Sequence, residues 1–246
     1  LKEIDKIVLN EQFEFLNSTV KESIEGDLIN LTFDIEESEK FYVKKINILG
    51  NNVTREEVIR NNLLVDEGDA FNELLQTKTL NNLKSLNFFS KVESEILDIE
   101  NENSKIINIT VEEKPTGEIM AGAGVGTAGA TVAFGVSENN FLGRGIKFTS
   151  NISLGSESLK GIISMNNPNY KGSGKSLNGS LESTITDRLK NFGYKSNKTG
   201  FSVGSGFEFY DDLYWNTGIS SYVEKLETDN TASASMKKQE GSYFDT

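Results

Sequence analysis

At Lys114-Pro115-Thr116 the chain changes its hydrophobic period, and that change constrains the fold more than any other feature. From Gly117 onward no helical repeat survives. Ile119, Ala121, Ala123 and Val125 alternate with Met120, Gly122, Gly124 and Gly126, and after a turn at Thr127-Ala128-Gly129, Val132, Phe134 and Val136 alternate with Thr131, Ala133 and Gly135. The pattern continues through Ile146, Phe148, Ile152 and Leu154, through Leu177, Leu181 and Ile185, through Phe201, Val203, Phe207 and Phe209, and through Leu213, Trp215 and Ile219. Period two in segments of about ten residues is the mark of strands with two unlike faces. No stretch approaches the ~20 apolar residues of a membrane helix, but a barrel strand crosses a bilayer with about ten alternating residues. Two architectures satisfy this pattern: a soluble sandwich and a transmembrane barrel.

Loop lengths favour the barrel. Asp187 to Asn197 and Glu227 to Glu240 read as long polar connections on one side, and Tyr210-Asp211-Asp212 as a tight turn on the other. That asymmetry is typical of outer-membrane barrels, although Glu138 to Gly145 and Asn166 to Gly174 are not very short. Both chain ends read as cut: Leu1 opens a charged stretch unlike a signal peptide, and the chain stops at Tyr243-Phe244-Asp245-Thr246 as a strand begins.

Composition removes several function classes. Lys plus Arg is 25 against 37 for Asp plus Glu, a net charge of −12, so nucleic acid is not an expected partner. Without a basic cluster, anionic headgroups are not gripped by charge alone. Cysteine and histidine are both absent, which removes disulfides, thiolate metal sites, the usual general base and the commonest metal ligand. No enzyme activity, cofactor or metal is expected.

Before the break, Phe41 to Glu113 reads as one small domain in the order strand, helix, helix, strand, strand. Phe41 to Leu49 is the first strand and Gly50-Asn51-Asn52 its turn. Thr54 with Glu57 has the spacing of a capping box, Val53 with Val58 that of a hydrophobic staple, and Val58, Ile59 and Leu63 supply an apolar helical face. A second helix begins near Asn72 with Leu80, Leu83 and Leu86 spaced by three. Val92 to Ile99 and Ile106 to Glu112 close the unit, with Ile107, Ile109 and Val111 on one face. Ile29-Asn30-Leu31-Thr32-Phe33 repeats Ile107-Asn108-Ile109-Thr110-Val111 at an offset of 78 residues, so residues 1–38 read as the end of a preceding copy in a tandem array.

These segments also carry a family likeness. Phe41 to Asn51 resembles the opening strand of a POTRA domain, Thr54 to Arg60 its first helix, and Asp66-Glu67-Gly68-Asp69 and Leu86-Asn87-Phe88-Phe89 its next landmarks. Val111-Glu112-Glu113-Lys114-Pro115-Thr116-Gly117 resembles the POTRA–barrel junction of BamA-type outer-membrane assembly proteins. Ser137 to Gly145 is similar to the first periplasmic turn of that family's barrel, and Asn167-Pro168-Asn169-Tyr170 to the second. The resemblance implies an α+β POTRA domain (β-α-α-β-β) followed by the N-terminal strands of an antiparallel transmembrane β-barrel. Residues 1–38 would end one POTRA domain, 39–114 form the complete last one, and 115–246 supply seven to eight barrel strands. It implies a bacterial outer-membrane location with the POTRA part in the periplasm. The implied partners are unfolded outer-membrane protein substrates, outer-membrane lipoproteins of the assembly complex and the lipid bilayer. Other POTRA-barrel proteins, a TamA-like factor or a two-partner secretion transporter, share much of this pattern; a soluble ligand-binding β-domain is the alternative from a different class.

Within that reading the candidate working parts are an edge and a junction. Gly117, Ile119, Ala121, Gly122, Ala123, Gly124, Val125 and Gly126 form the candidate barrel-edge strand, whose glycines weaken pairing or, alternatively, make room for lumen contents. Glu113, Lys114, Pro115 and Thr116 form the POTRA–barrel junction, a hinge or an ordinary linker. Gly124 to Gly129 matches G-x-G-x-x-G, but another alternating strand follows where a nucleotide site needs a helix. Asp66 to Asp69 lacks the spacing of a calcium loop and reads as a solvated turn. Tyr214 and Trp215 suit an interface girdle or cross-strand packing.

Overall fold

A computed structural model describes residues 16–25, 28–37, 40–126, 129–210 and 213–246. Its elements begin with β1 (Leu16–Glu25), β2 (Leu28–Glu37), β3 (Tyr42–Leu49), α1 (Glu56–Arg60), α2 (Glu73–Ser85), β4 (Phe89–Asp98) and β5 (Ser104–Glu113). They continue as β6 (Gly117–Gly126), β7 (Gly129–Phe141), β8 (Ile146–Gly155), β9 (Ser158–Asn167), β10 (Lys175–Arg188), α3 (Leu189–Phe192), β11 (Tyr194–Tyr210), β12 (Leu213–Thr228), α4 (Ala234–Lys238) and β13 (Gly241–Asp245). Contacts divide the chain into two compact units. One holds the residues up to Asn51 together with Asn62–Glu113, and the other holds Asn52–Asn61 together with Lys114–Thr246.

In the first unit β5 is the central strand, parallel to β3 and antiparallel to β4. Its alternation puts Ile107, Ile109 and Val111 in the core with Val43, Ile46, Leu83, Phe89 and Val92. Asn72 caps α2 by accepting the Leu75 amide at 3.1 Å. The buried positions of α2 are Gln76, Thr79 and Leu83; Leu80 and Leu86 are only half-buried. Thr79 earns its place in the core by accepting the Leu64 amide at 3.0 Å.

The acidic turn is structural rather than simply solvated. Glu67 accepts the Ile46 amide at 3.0 Å, and the Gly68 amide donates to Val43 O at 2.7 Å, so the turn braces β3. The β1–β2 hairpin is antiparallel, as is β4–β5; residues 1–15 of the expected preceding copy lie outside the described residues.

In the second unit eight strands run as an antiparallel meander in chain order, from β6 to β13. Two expected features are corrected here. The long polar loop over Asp187 to Asn197 does not exist, because β10 continues to Arg188 and β11 starts at Tyr194, leaving the short α3 turn closed by Gly193 at φ +71°. The Ser156-Glu157 connection on the same side is tighter still, so among the described residues only Asp229–Glu240 is a long connection there. Strands are also longer than ten residues in places: the 17 residues of β11 extend about 56 Å at ~3.3 Å per residue, well beyond an apolar band of about 25 Å. The turns at 127–128 and 211–212 lie outside the described residues.

The capping box and staple are corrected too. Arg55, with extended dihedrals, is the N-cap of α1 and makes no side-chain cap bond. The Thr54 hydroxyl, buried, instead accepts from Asn140 Nδ2 at 2.8 Å. Val53 is 69% exposed and so not packed as a staple residue.

Gly50 and Gly68 separate two reasons for glycine. Both have φ near +90° to +100°, but a Cβ at Gly50 would sit 2.0 Å from Val111 O, whereas one at Gly68 meets nothing within 4 Å. Gly68→Ala should therefore cost about 1 kcal/mol from the dihedral alone, and Gly50→Ala roughly 2 kcal/mol more because β5 must move. Urea-dependent amide exchange of β3 and β5 measures both; equal costs would show that the Val111 contact is irrelevant.

Candidate membrane face and edge strand

The register of the eight-stranded sheet sorts side chains into two unlike faces. Ile119, Ala121 and Ala123 stand opposite Val136, Phe134 and Val132. Val132 and Phe134 stand opposite Leu154 and Ile152, and Leu154 opposite Leu159. Ile163 pairs with Leu181, Leu181 with Phe201, and Val203 with Ile219. Val136 is half-buried and the others are exposed, up to 77% for Ile119; Val125, further along β6, is 90% exposed. A continuous apolar band of this width on a soluble surface would drive association; against hydrocarbon it is favourable.

The opposite face is polar and internally satisfied. Thr149 shares a hydrogen bond with Ser164 at 2.6 Å and Ser180 with Ser202 at 2.7 Å. Lys160 pairs with Glu182 at 2.9 Å, and the Lys198 ammonium lies 4.4 Å from the centre of the Tyr222 ring. Ser196 donates to Glu224 at 2.7 Å. Glycines on this face give neighbouring polar groups room: a Cβ at Gly135 would meet Asn151 Oδ1 at 2.1 Å, and one at Gly206 would meet Asn216 Oδ1 at 2.1 Å. Apolar outside and polar inside is the arrangement of a membrane barrel wall.

Aromatic residues gather at one end of the band. Phe207 stands opposite Trp215 and Tyr210 opposite Leu213 across β11 and β12, and Phe209, Tyr210 and Trp215 are exposed; Tyr214, also exposed, stands opposite Glu208 on the polar face. Amphipathic rings at a strand end match an interfacial girdle.

The sequence-expected site residues fall in two places. Glu113 ends β5 opposite Phe89, and Lys114, Pro115 and Thr116 link β5 to β6. Gly117 to Gly126 form β6, every residue of it exposed, which together with β13 bounds the sheet among the described residues. A Cβ at Gly122, Gly124 or Gly126 would meet nothing within 4 Å. Gly124 and Gly126 belong to β6 and Gly129 opens β7, so a strand and not a helix follows the motif.

Sequence reasoning missed a polar cluster at the start of β6. Thr116 donates its hydroxyl to Glu138 Oε1, and its carbonyl accepts from both the amide and Nδ2 of Asn139 at 3.3 Å each. The Asn140 amide donates to the same Glu138 oxygen at 2.7 Å, and Asn140 Oδ1 accepts the Gly145 amide at 2.7 Å. The only sequence signal was the run Glu138-Asn139-Asn140 before Gly143 and Gly145, side chains that bond to nearby backbone at turns.

Two family models match this chain: POTRA, the surface antigen variable number repeat, over residues 41–114, and the Omp85 superfamily domain over residues 140–246. Residues 41–114 of the chain thus carry a POTRA domain and residues 140–246 an Omp85 superfamily domain. Its POTRA domain and antiparallel strands follow in that superfamily's order, and it is an outer-membrane protein with its POTRA part in the periplasm. It is 25% identical over 93% of its length to the outer membrane protein assembly factor BamA of Nitratidesulfovibrio vulgaris and 26% identical over 95% to that of Neorickettsia risticii. It spans only 29% and 32% of those two proteins. The fold is like that of Haemophilus ducreyi BamA lacking POTRA domains 1–3, with a TM-score of 0.73 at 23% identity over 92% of this chain and 44% of that one. CdiB from Acinetobacter baumannii gives 0.52 at 15% identity over 99% of this chain and 46% of that one.

The two faces of the Omp85 strands predict opposite responses at adjacent residues. Ile219→Arg places a charge on the apolar band and should cost about 2–4 kcal/mol of folding stability, whereas Ser220→Arg, on the polar face, should cost under about 1 kcal/mol. Urea titration of heat-modifiable gel mobility in lipid vesicles measures both. Equal losses would overturn the assignment of the faces.

Proposed function

We propose that this chain is the last POTRA domain and the first barrel strands of an outer-membrane protein assembly factor. It receives unfolded barrel proteins in the periplasm and helps them fold and insert, with β6 as the pairing edge. Residues 16–37 close a preceding POTRA domain, and the POTRA part docks lipoproteins of the assembly complex. The likeness to BamA proteins over nearly the whole chain supports this reading, and the BamA fold match exceeds the CdiB match.

The observation that carries the mechanism is the composition of β6 at the sheet edge. In lipid each unpaired backbone group costs several kcal/mol, so an edge strand there must find a partner. A strand that pairs weakly with its closing partner exchanges that partner readily for an incoming strand, by β-augmentation. Gly122, Gly124 and Gly126 contribute no cross-strand side-chain contact and add backbone entropy. Ala121 and Ala123 offer the bilayer less apolar surface than Phe134 and Val132 opposite them, which favours local thinning of the lipid. No covalent chemistry is required; the work is an exchange of backbone hydrogen bonds. Lys114, Pro115 and Thr116 serve as the hinge, since proline interrupts strand pairing at that point.

The glycines give a clean test, because side chains added there meet open space. Gly122→Val with Gly124→Val raises strand propensity by up to about 1 kcal/mol each. The double variant of the full-length protein in proteoliposomes should insert a substrate barrel several-fold more slowly while remaining heat-modifiable. Unchanged insertion kinetics would remove β6 as the pairing edge.

A further inference from the structure

The base of β6 is engaged by polar side chains that the rest of the strand lacks, and they come from the last residues of β7. The β7–β8 register breaks between Glu138 and Phe141. A bulge of this kind takes residues out of the ladder and re-aims their side chains. Freed in this way, Asn139 donates twice to Thr116 O, and Glu138 accepts the Thr116 hydroxyl. The hydroxyl and the carbonyl of the residue that precedes β6 are thereby both engaged. Glu138 is in turn fixed by the Asn140 amide at 2.7 Å.

Asn140 is the hub of this node. It is 6% exposed, its Oδ1 accepts the Gly145 amide at 2.7 Å, and its Nδ2 donates to Thr54 Oγ1 at 2.8 Å. A second bond runs beside it, from the Arg55 amide to Gly143 O at 2.8 Å. Gly143, at φ +69°, lies so close to Val53 O that a Cβ would sit 2.0 Å from it. All of these residues belong to the compact unit that contains β6. At the other end of the strand, Gly122, Gly124 and Gly126 have no neighbour within 4 Å of a Cβ position.

We propose that Glu138 and Asn140 are positioning residues that clamp the Thr116 end of β6, so that opening of this strand is confined to Met120–Gly126. The partner strand then enters at the glycine-rich end and zips toward the clamp, with register set by a base that does not move. This inference rests on the reading of β6 as the pairing edge.

Segment-resolved amide exchange of the full-length protein in proteoliposomes tests it. In the unaltered protein Gly117–Ile119 should exchange at least tenfold more slowly than Gly122–Gly126. Glu138→Ala and Asn140→Ala should each abolish most of that difference while exchange in β10 and β11 stays unchanged. Glu138→Gln, which keeps an acceptor oxygen for Thr116 and Asn140, should preserve it. If Glu138→Ala does not fold, Thr116→Val removes the hydroxyl donor alone and should give a partial loss. Uniform exchange along β6 in the unaltered protein, or a gradient that survives Glu138→Ala, overturns the clamp. Equal loss in Glu138→Gln and Glu138→Ala overturns the role of the acceptor oxygen. An intact, clamp-dependent gradient in a protein whose insertion rate ignores the Gly122 and Gly124 substitutions would leave the clamp standing and sink only the pairing-edge function.

Discussion

Backbone hydrogen bonding in hydrocarbon governs this chain's second half. Water is absent from a bilayer core, so each amide and carbonyl there needs a protein partner. A meander in chain order meets that demand, because every strand from β7 to β12 has a neighbour on both sides. The side chains follow from the same constraint. Once the ladder occupies the plane of the sheet, successive residues point to lipid or away from it, and the sequence must alternate. The two bounding strands then become the costly positions, and β6 occupies one of them with little side-chain surface to offer.

That alternation is why so much of the fold was legible in the sequence. Ile107, Ile109 and Val111 are read as one face and are buried as one face; Leu181, Phe201 and Ile219 are read as one face and lie in one exposed band. What failed has a physical explanation in each case. Lys195 to Asn197 is polar, and polarity reads as loop, but the segment extends as strand because ladder bonds do not depend on apolar side chains. Thr54 and Glu57 have the spacing of a cap, yet a carboxamide 86 residues away takes the Thr54 hydroxyl into a buried bond. A local motif is worth ~1 kcal/mol, a similar amount to one hydrogen bond, so a buried long-range partner is enough to displace it.

The glycines illustrate three separate physical roles that composition alone merges. Gly50 and Gly143 are obligatory, with positive φ and a carbonyl 2.0 Å from any added Cβ. Gly135, Gly200 and Gly206 lie under the side chains of Asn151, Tyr222 and Asn216, which cover the backbone from a neighbouring strand. Gly122, Gly124 and Gly126 have neither a steric nor a dihedral need for glycine. Of the three groups, only the last leaves pairing strength rather than geometry as the reason for the residue.

The same asymmetry gives the edge its direction. An edge that is loose along its whole length offers an incoming strand many registers, and a one-residue slip turns every apolar side chain away from lipid. An edge rigid throughout offers none. A strand fixed at Thr116 by Glu138 and Asn139, and left without side-chain support toward Gly126, pairs in one register while remaining free to change partner. Tightness at the base and weakness beyond it are therefore complementary requirements of a single strand, met by polar side chains at the end of β7 and by glycines a few residues further on.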